Sequence, residues 1–256
     1  MRLGFIGTGE ITSSIVIGLS SSGATKHSIC LSPRNATIAS RLANQFDGIS
    51  VALSNQEVLE HSETIVIAVR PSVTREVVTE LRFRPDHTVI SLVSGLSLHN
   101  LSQLVAPAVR IARAVPLPSS AIRLSPTAIF PPDPSASELF ATVGTAIPIE
   151  REREFDAICA ATATIASYFA FTDAIAAWLQ CQGISASQAQ DYVCQLFLGV
   201  ASAAVEKPED NFRSAATAHA TPGGINEQFL KQMTERGLTS AVPEGLDVVL
   251  RRIRGT

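Results

Sequence analysis

The sequence predicts an α/β fold, in which a doubly wound parallel sheet in the N-terminal part is followed by an all-α C-terminal part. Up to residue 115, short apolar and β-branched runs alternate with longer amphipathic segments. That alternation is typical of parallel strands that are buried on both faces and connected by helices. Beyond residue 150 the pattern is helical only. We therefore expect one domain over residues 1–150 and a second over residues 151–256.

The N-terminal elements follow one another at short spacing. Strands are expected at Leu3–Ile6, Ser28–Leu31, Thr64–Val69, Thr88–Val93 and Arg110–Val115. Helices are expected between them at Glu10–Ser21, Asn35–Phe46, Asn55–His61, Val73–Leu81 and Leu98–Leu104. Prolines between residues 116 and 134 then interrupt the pattern, because proline suits neither a helix interior nor a central strand. Edge strands are expected at Thr127–Phe130 and Thr145–Ile149.

The C-terminal part is unusually apolar. No Lys or Arg occurs between Arg153 and Lys207, and the runs Ile158–Gln182 and Asp191–Val205 are apolar almost all round. Asp173 interrupts the first run and no basic flanks set an orientation, which argues against a membrane span. Helices of this kind must be covered by protein. We therefore expect a homodimer, or a higher oligomer, that assembles through the C-terminal helices.

Composition excludes several other classes of function. The net charge of −3 gives no electrostatic reason to expect a nucleic-acid partner. The four cysteines and five histidines lack the spacing of a metal site. No secretion signal can be recognised at the start of the sequence. We therefore expect a cytoplasmic protein with reduced thiols.

The first strand–helix junction carries a candidate cofactor site. The segment Gly4–Thr12 reads GFIGTGEIT and resembles a dinucleotide-binding fingerprint whose third glycine is replaced by Thr12. Gly7 would permit the tight turn, and Gly9 would let the backbone approach a pyrophosphate. The following helix start would direct amide donors and its positive dipole end at the phosphates. A plain glycine turn is the alternative, but the position in a βαβ series favours a Rossmann-type site. Its expected contacts are Gly7, Thr8, Gly9, Glu10 and Ile11.

The end of the second strand indicates which dinucleotide is bound. A site for NAD would show Asp or Glu there, whereas this chain has Ser32, Pro33 and Arg34. A guanidinium can bind a 2′-phosphate through two hydrogen bonds. NADP(H) is therefore the expected cofactor. The alternative is that Arg34 only lies at a solvated helix start.

Several segments together resemble the pyrroline-5-carboxylate reductase family over nearly the whole chain. Phe5–Gly9 is similar to that family's opening, and Ser32-Pro33 is similar to its 2′-phosphate loop. The family's AVKP turn along the nicotinamide appears as Ala68, Val69, Arg70 and Pro71. Asn55 stands where an Asn of the family contacts the cofactor, and Ser91–Gly95 resembles the loop after its fifth strand. The resemblance implies a Rossmann domain followed by a helical dimerisation domain.

The segment Thr221–Asn226, which reads TPGGIN, resembles the family's SPGGxT substrate loop. Without the family, Pro-Gly-Gly before the expected helix Asn226–Arg236 already indicates an anion site or an ordinary turn and cap. A substrate carboxylate would contact the backbone of Gly223 and Gly224 and the hydroxyl of Thr221. The resemblance implies hydride transfer from NADPH to the imine carbon of pyrroline-5-carboxylate. Asn226 would take the place of the family's threonine near the ring nitrogen.

Three departures from the family pattern leave the substrate open. The MPN motif appears as Val115-Pro116-Leu117, the GSGPAY-like segment appears as Thr162–Ser167, and the substrate loop has Thr221 and Asn226. The chain is therefore a divergent reductase of the same substrate, a reductase of another small imine, or an NADP-binding paralogue without turnover.

Two further readings concern general acids. β-Hydroxyacid dehydrogenases share the architecture but need a Lys on the long helix, and this chain has none between Arg153 and Lys207. His219 precedes the substrate loop and could act as an acid near neutral pH. The alternative, that His219 only forms a hydrogen bond in the loop, is favoured.

Overall fold

A mainly parallel sheet is the central element of the computed structural model, which describes residues 1–21, 27–206 and 211–255. Within these residues it has eight strands in the order β3-β2-β1-β4-β5-β6-β7-β8. The strands are β1 (Arg2–Ile6), β2 (Ser28–Leu31), β3 (Ile49–Val51), β4 (Thr64–Ile67), β5 (Thr88–Ser91), β6 (Arg110–Val115), β7 (Ser125–Phe130) and β8 (Gly144–Pro148). Only the β6–β7 pair is antiparallel. The predicted α/β class with a Rossmann-like sheet is confirmed.

Helices connect the strands and make up the C-terminal part. Those of the N-terminal part are α1 (Glu10–Ser20), α2 (Ala36–Gln45), α3 (Asn55–Glu60), α4 (Pro71–Thr79), α5 (Leu98–Leu104) and α6 (Pro134–Thr142). They are followed by α7 (Glu152–Ala161), α8 (Thr164–Cys181), α9 (Ala186–Glu206), α10 (Phe212–His219), α11 (Ile225–Glu235) and α12 (Leu238–Arg254). The predicted helical C-terminal domain is therefore also confirmed.

The sheet separates two apolar cores because successive side chains of a strand point to opposite faces. Phe5 of β1 and Val66 of β4 belong to the core that contains α1, whereas Ile6 and Ile65 belong to the core on the other face. All four side chains are fully buried. Strands that are buried on both faces explain the continuous apolar runs in the sequence.

Three elements of the N-terminal part escaped prediction: strand β3, helix α6 and a short 3₁₀ helix at Pro118–Ile122. Strand β3 has only three residues, with Ser50 at its centre and an exposed Val51, so it lacks an apolar run. Helix α6 begins at Pro134, where the Asp133 side chain accepts a hydrogen bond from the Ala136 amide over 2.8 Å. The expectation that these prolines exclude helices was wrong at this point, because proline is well suited to the first position of a helix.

The apolar run expected at Ile158–Gln182 forms two helices, α7 and α8, with a break between Ala161 and Thr164. The Arg113 side chain is buried and pairs with Glu152 at 2.7 Å and with Asp156 at 3.0 Å. These ion pairs tie α7 to the sheet, where Phe155 and Cys159 pack in a third apolar cluster.

The chain consequently divides into two compact units beyond the boundary expected at residue 150. The first unit comprises Met1–Cys159 together with Arg252–Thr256, and the second comprises Ala160–Arg251. Ile253 packs in the third cluster, and the Arg254 guanidinium donates to the carbonyl oxygen of Arg153 over 3.0 Å. The division of functional roles at residue 150 stays a prediction.

The second unit exposes much of its apolar surface. Helices α8 and α9 pack through Tyr168, Phe171 and Phe197, whose rings meet edge to face. The side chains of Phe169 and Trp178 are nevertheless more than half exposed. By length and composition, the stretch Glu152–Cys181, which spans α7 and α8, is the one helical stretch among the described residues that could cross a membrane. An 18-residue window within it has a mean hydropathy of 1.4. Helix α12 was not predicted, and it contains Pro243.

Candidate functional site

Gly7 forms the turn at the carboxyl end of β1, where the strand order reverses. Strand β1 pairs with β2 on one side and with β4 on the other, and such a switch point is where open α/β sheets bind ligands. Gly7 has a φ of +100°, and a Cβ atom there would lie 2.6 Å from the carbonyl oxygen of Ala68. Only glycine fits this turn.

Ser32, directly after β2, holds the glycine turn in place. Its Oγ accepts a hydrogen bond from the Gly7 amide over 2.9 Å. The Thr8 hydroxyl donates to the Ser32 carbonyl oxygen over 2.8 Å and lies 3.1 Å from the Ser32 Oγ. The Ser32 side chain is fully buried. It therefore supports the cofactor loop from inside, and its direct contact with a 2′-phosphate stays a prediction.

Gly9 and the start of α1 fit a bound pyrophosphate. A Cβ atom on Gly9 would have no protein atom within 4 Å, so protein packing does not require a glycine there. The Gly9 carbonyl accepts the Ser13 amide at 2.9 Å, whereas the amides of Glu10 and Ile11 lie in the first helical turn, where they have no intrahelical partner. These donors and the helix dipole favour a phosphate anion.

Thr12 has a role that the sequence analysis missed. Its side chain is fully buried, and its hydroxyl donates to the Gly7 carbonyl oxygen over 2.7 Å. The residue that replaces the third fingerprint glycine therefore fastens the turn to α1. A threonine in the first turn of the helix that follows a glycine turn is the signal that could have suggested the hydrogen bond from Thr12 to Gly7.

The residues expected to select NADP(H) lie on the surface. The Arg34 side chain is exposed, and among the described residues it has no ion pair. Asn35 next to it accepts a hydrogen bond from the Ile38 amide over 3.4 Å and caps α2. Pro33 is half-buried. Arg34 is thus free to bind an anion at the end of β2.

The other predicted cofactor contacts occupy the neighbouring strand ends. Asn55 is the first residue of α3 and is half-buried. Ala68 and Val69 directly follow β4, and the Gly7 turn lies against both, as the hypothetical Gly7 Cβ would approach Val69 Cγ1 to 2.9 Å. Arg70 and Pro71 are exposed at the start of α4.

A cavity lies beside this turn, between α4 and α5. Its volume is about 170 Å³, and its lining includes Pro71, Arg75, Ser94, Gly95 and Asn100. Pro71 belongs to the AVKP-like turn, and Ser94 and Gly95 belong to the loop after β5. The AVKP-like turn and the loop that resembles the one after the family's fifth strand therefore border one opening in the first unit.

The loop Thr221–Asn226 is described within the second unit alone. The Gly223 amide donates to the Glu227 carboxylate over 2.8 Å, and the Gly224 amide donates to the Thr221 carbonyl over 2.8 Å. Both amides therefore have partners within the chain in this conformation of the loop, and their contact with a substrate carboxylate stays a prediction. Glu227, which the sequence analysis missed, is an acidic residue in the first turn of α11 whose carboxylate contacts the loop.

Asn226 and His219 are linked in this loop. The Asn226 side-chain amide donates to the His219 carbonyl over 3.2 Å. The His219 Nδ1 lies 2.8 Å from the Ala215 carbonyl and must be the donor, since a carbonyl only accepts. The second amide hydrogen and the Oδ1 atom of Asn226 remain for a ligand. The catalytic role of Asn226 stays a prediction.

Two of the free cysteines, Cys30 and Cys159, are buried. Burial raises the pKa of Cys159 to about 11 and is also the main cause of the raised pKa of Cys30, so neither thiol ionises near neutral pH. The part of the chain that the structure describes contains no group of His, Cys, Asp or Glu side chains that could hold a metal ion. The groups described at the candidate site are backbone amides, hydroxyls and the exposed Arg34 guanidinium, whose role in binding the cofactor stays a prediction.

Comparison with known proteins identifies both parts of the chain. A family model described as NADP oxidoreductase, coenzyme F420-dependent, matches residues 2–95. A second, described as pyrroline-5-carboxylate reductase dimerisation, matches residues 152–256. The pyrroline-5-carboxylate reductase of Vibrio alginolyticus is 26% identical over 98% of this chain and 96% of that protein. Residues 152–256 belong to the pyrroline-5-carboxylate reductase dimerisation family, and the chain is similar to pyrroline-5-carboxylate reductases over nearly its whole length. It is accordingly an oxidoreductase whose C-terminal helices mediate oligomerisation.

Solved structures show the same fold. The 1-pyrroline-5-carboxylate reductase of Streptococcus pyogenes has a TM-score of 0.87 at 24% identity, with 100% of this chain and 99% of that chain covered. The pyrroline carboxylate reductase of Plasmodium falciparum with NADP bound has a TM-score of 0.84 at 18% identity, with 100% and 97% covered. The family's MPN asparagine remains replaced by Leu117, which is half-buried and donates its amide to the Ser125 hydroxyl over 2.8 Å.

Proposed function

We propose that this chain reduces 1-pyrroline-5-carboxylate to proline with NADPH, by hydride transfer to the imine carbon. The observation that carries the proposal is the presence, on one chain, of the Gly7–Gly9 turn at the reversal of strand order and of the family's dimerisation domain over residues 152–256. The relatives that align over nearly the whole length bear the name of this activity.

NADP(H) is the cofactor that the residues fit. When bound, it supplies the hydride that the imine carbon receives. The exposed Arg34 at the end of β2 suits a 2′-phosphate, because its positive charge attracts the phosphate. Ser32 and Pro33 beside it bring no carboxylate that would repel the phosphate. The start of α1 holds the pyrophosphate through backbone amides, and Ala68–Pro71 lies along the nicotinamide side.

The loop in the second unit binds the small imino acid. Thr221 provides a hydroxyl and Gly223 a backbone donor for its carboxylate, while the Gly224 amide holds the turn through the Thr221 carbonyl. Asn226 provides an amide for the ring nitrogen. Reduction places electron density on that nitrogen, so a donor there stabilises the transition state. Orientation supplies the rest of the rate, because no strong acid is needed when the imine carries a proton.

The assembly is a homodimer, with a higher oligomer as the alternative. Helices α8 and α9 expose Phe169, Trp178 and Tyr192 in a single chain. Covering such a surface with a second copy removes apolar area from water at roughly 25 cal/mol per Å². We assign this surface to the dimer rather than to a membrane, although the run Glu152–Cys181 is long and apolar enough to span one. A cytoplasmic location agrees with this assignment.

A reductase of a different small imine is the second candidate. It is favoured by Leu117, because an apolar side chain stands where the family has an amide, and by the replacement at Thr162–Ser167. An NADP-binding paralogue without turnover is the third candidate. The experiment that separates them is a survey of NADPH oxidation with pyrroline-5-carboxylate, piperideine carboxylates and acyclic imines.

Turnover of pyrroline-5-carboxylate with the largest kcat/KM supports the proposal, and a larger value for another imine transfers the assignment to that substrate. NADPH binding without oxidation by any imine supports the paralogue. Asn226→Ala serves as the internal test of the site. It should lower kcat while NADPH affinity stays constant, and an equal loss of both would contradict its role.

A further inference from the structure

We infer that Glu227 is a specificity-determining residue, whose carboxylate competes with the carboxylate of the substrate for the Gly223 amide. The inference rests on the proposed function, because it concerns the loop to which that function assigns the imino acid. The inference assigns a role to the contact between this loop and the acidic side chain of Glu227 in α11.

The hydrogen bonds of the loop leave one amide for which the two anions compete. The Gly224 amide is used by the turn, through the Thr221 carbonyl at 2.8 Å. The Gly223 amide points to the Glu227 Oε2 atom at the same distance, 2.8 Å. Gly223 has a φ of +74°, a backbone conformation that residues other than glycine rarely adopt. A carboxylate oxygen thus already occupies the donor that a substrate carboxylate needs.

The chemistry of the two carboxylates makes them mutually exclusive. Each prefers the same charge-assisted hydrogen bond and the positive start of α11. Two carboxylates on one amide would repel each other, since like charges close together raise the free energy of both. The substrate therefore binds only after the Glu227 side chain has moved away.

The chain offers a second position for the displaced side chain. Lys231 lies one turn further along α11, at the i, i+4 spacing that suits a glutamate followed by a lysine. The two side chains form no ion pair in the described structure. Glu227 is exposed, so rotation toward Lys231 meets no buried barrier.

The test compares Glu227→Gln with Glu235→Gln, a matched loss of charge near the other end of the same helix. Steady-state kinetics are measured with pyrroline-5-carboxylate and with 1-pyrroline, which has the same ring without the carboxylate. We expect Glu227→Gln to lower KM for the carboxylated imine by about threefold to tenfold. The glutamine oxygen can still accept the Gly223 hydrogen bond but carries no charge, and a charge-assisted hydrogen bond is about twice as strong as a neutral one. The KM for 1-pyrroline and both kinetic constants of Glu235→Gln should stay constant.

Two outcomes overturn the inference. An unchanged KM for the carboxylated imine shows that Glu227 does not compete. Equal changes for both imines show that Glu227 only shapes the loop.

Binding of cyclopentanecarboxylate, a carboxylated ring that cannot be reduced, is measured by calorimetry on the same three proteins. Tighter binding to Glu227→Gln than to the unaltered chain supports competition, and equal affinity refutes it. Because this measurement needs no turnover, failure of the inference and failure of the proposed activity can be told apart.

Discussion

The Oγ atom of Ser32 lies 2.9 Å from the backbone nitrogen of Gly7 and accepts its hydrogen bond. This bond joins the turn after β1 to the end of β2, two segments that are separated along the chain and that must both face one dinucleotide. Because the Ser32 side chain is fully buried, its hydroxyl holds the conformation of the turn and does not form part of the turn's exposed surface.

Replacing Ser32 by alanine should weaken both folding and cofactor binding. The partly buried Gly7 amide would lose its partner, and the net contribution of such a hydrogen bond to stability is about 0.5–1.5 kcal/mol. We expect a free energy of unfolding lower by that amount in urea titrations, together with weaker NADPH binding by fluorescence titration. Ser40→Ala, at an exposed position of α2, is the control and should change neither quantity. Unaltered NADPH affinity in Ser32→Ala would contradict a role of the Gly7–Ser32 hydrogen bond in cofactor binding.

Alanine at Gly9 should reduce NADPH affinity and leave the fold intact. A Cβ at Gly9 meets no protein atom within 4 Å, and the φ of −100° is open to alanine. The methyl group would instead meet the pyrophosphate that approaches the backbone. Gly7→Ala is the contrasting variant, because its Cβ would lie 2.6 Å from the Ala68 carbonyl. The melting temperature should fall for Gly7→Ala alone. Normal NADPH binding by Gly9→Ala would contradict the assignment of the turn to the pyrophosphate site.

Arg34→Asp should move cofactor preference from NADPH toward NADH. The substitution removes the cation expected at the 2′-phosphate and installs the acid that suits two ribose hydroxyls. The ratio of kcat/KM for the two cofactors is the measurement. Arg82→Asp makes the same charge change at another exposed position of the first unit and should leave the ratio constant. A constant ratio in Arg34→Asp would remove this residue from the site.

Protein stability should fall as pH is lowered, because of His87. This ring is fully buried, and it accepts the Arg84 amide at Nδ1 over 3.1 Å, so its Nε2 is the atom that donates to the Leu59 carbonyl. Burial and then the Arg84 charge lower the pKa of His87 below its ordinary value of 6.5. The unfolded chain therefore binds the proton more readily. The stabilisation is complete above pH 6.5 and is lost as pH falls through the folded pKa.

The measurement is the melting temperature at several pH values between 7.5 and 5, against His87→Gln. An amide has an oxygen that can accept and a nitrogen that can donate, but it does not titrate in this range. The variant should show a flatter dependence on pH. His99→Gln, at an exposed site, should retain the slope of the unaltered protein. Parallel slopes in His87→Gln and the unaltered protein would assign the effect to other groups.

The elements that the sequence predicted were those with a continuous pattern. Strands β1, β2, β4, β5 and β6 are buried on both faces, and burial alone produces their apolar runs. The end of α7 near Ala161 was invisible, because no glycine or proline marks it and the next turn is equally apolar. Propensity and periodicity report on local burial, so a break that depends on tertiary packing leaves no local signal.

The candidate site was predictable at the level of position and less so at the level of side-chain role. The turn at Gly7 and the end of β4 lie together, as the order of strands requires. The inward Ser32 hydroxyl depends on an amide distant in sequence, and no local pattern gives it. Glu227 was readable in principle, since an acid at the third position of a helix commonly bonds back to the residues before it.

Arg252 and the residues after it return to the first unit, although the whole second unit intervenes. The ribosome therefore completes the sheet well before it delivers Ile253, the side chain that packs beside Phe155. During synthesis the third apolar cluster lacks this side chain until the helical domain has been made. We expect a bulky fusion or a proteolytic nick near Arg252 to affect the nucleotide-binding first unit rather than the second unit, which precedes it along the chain.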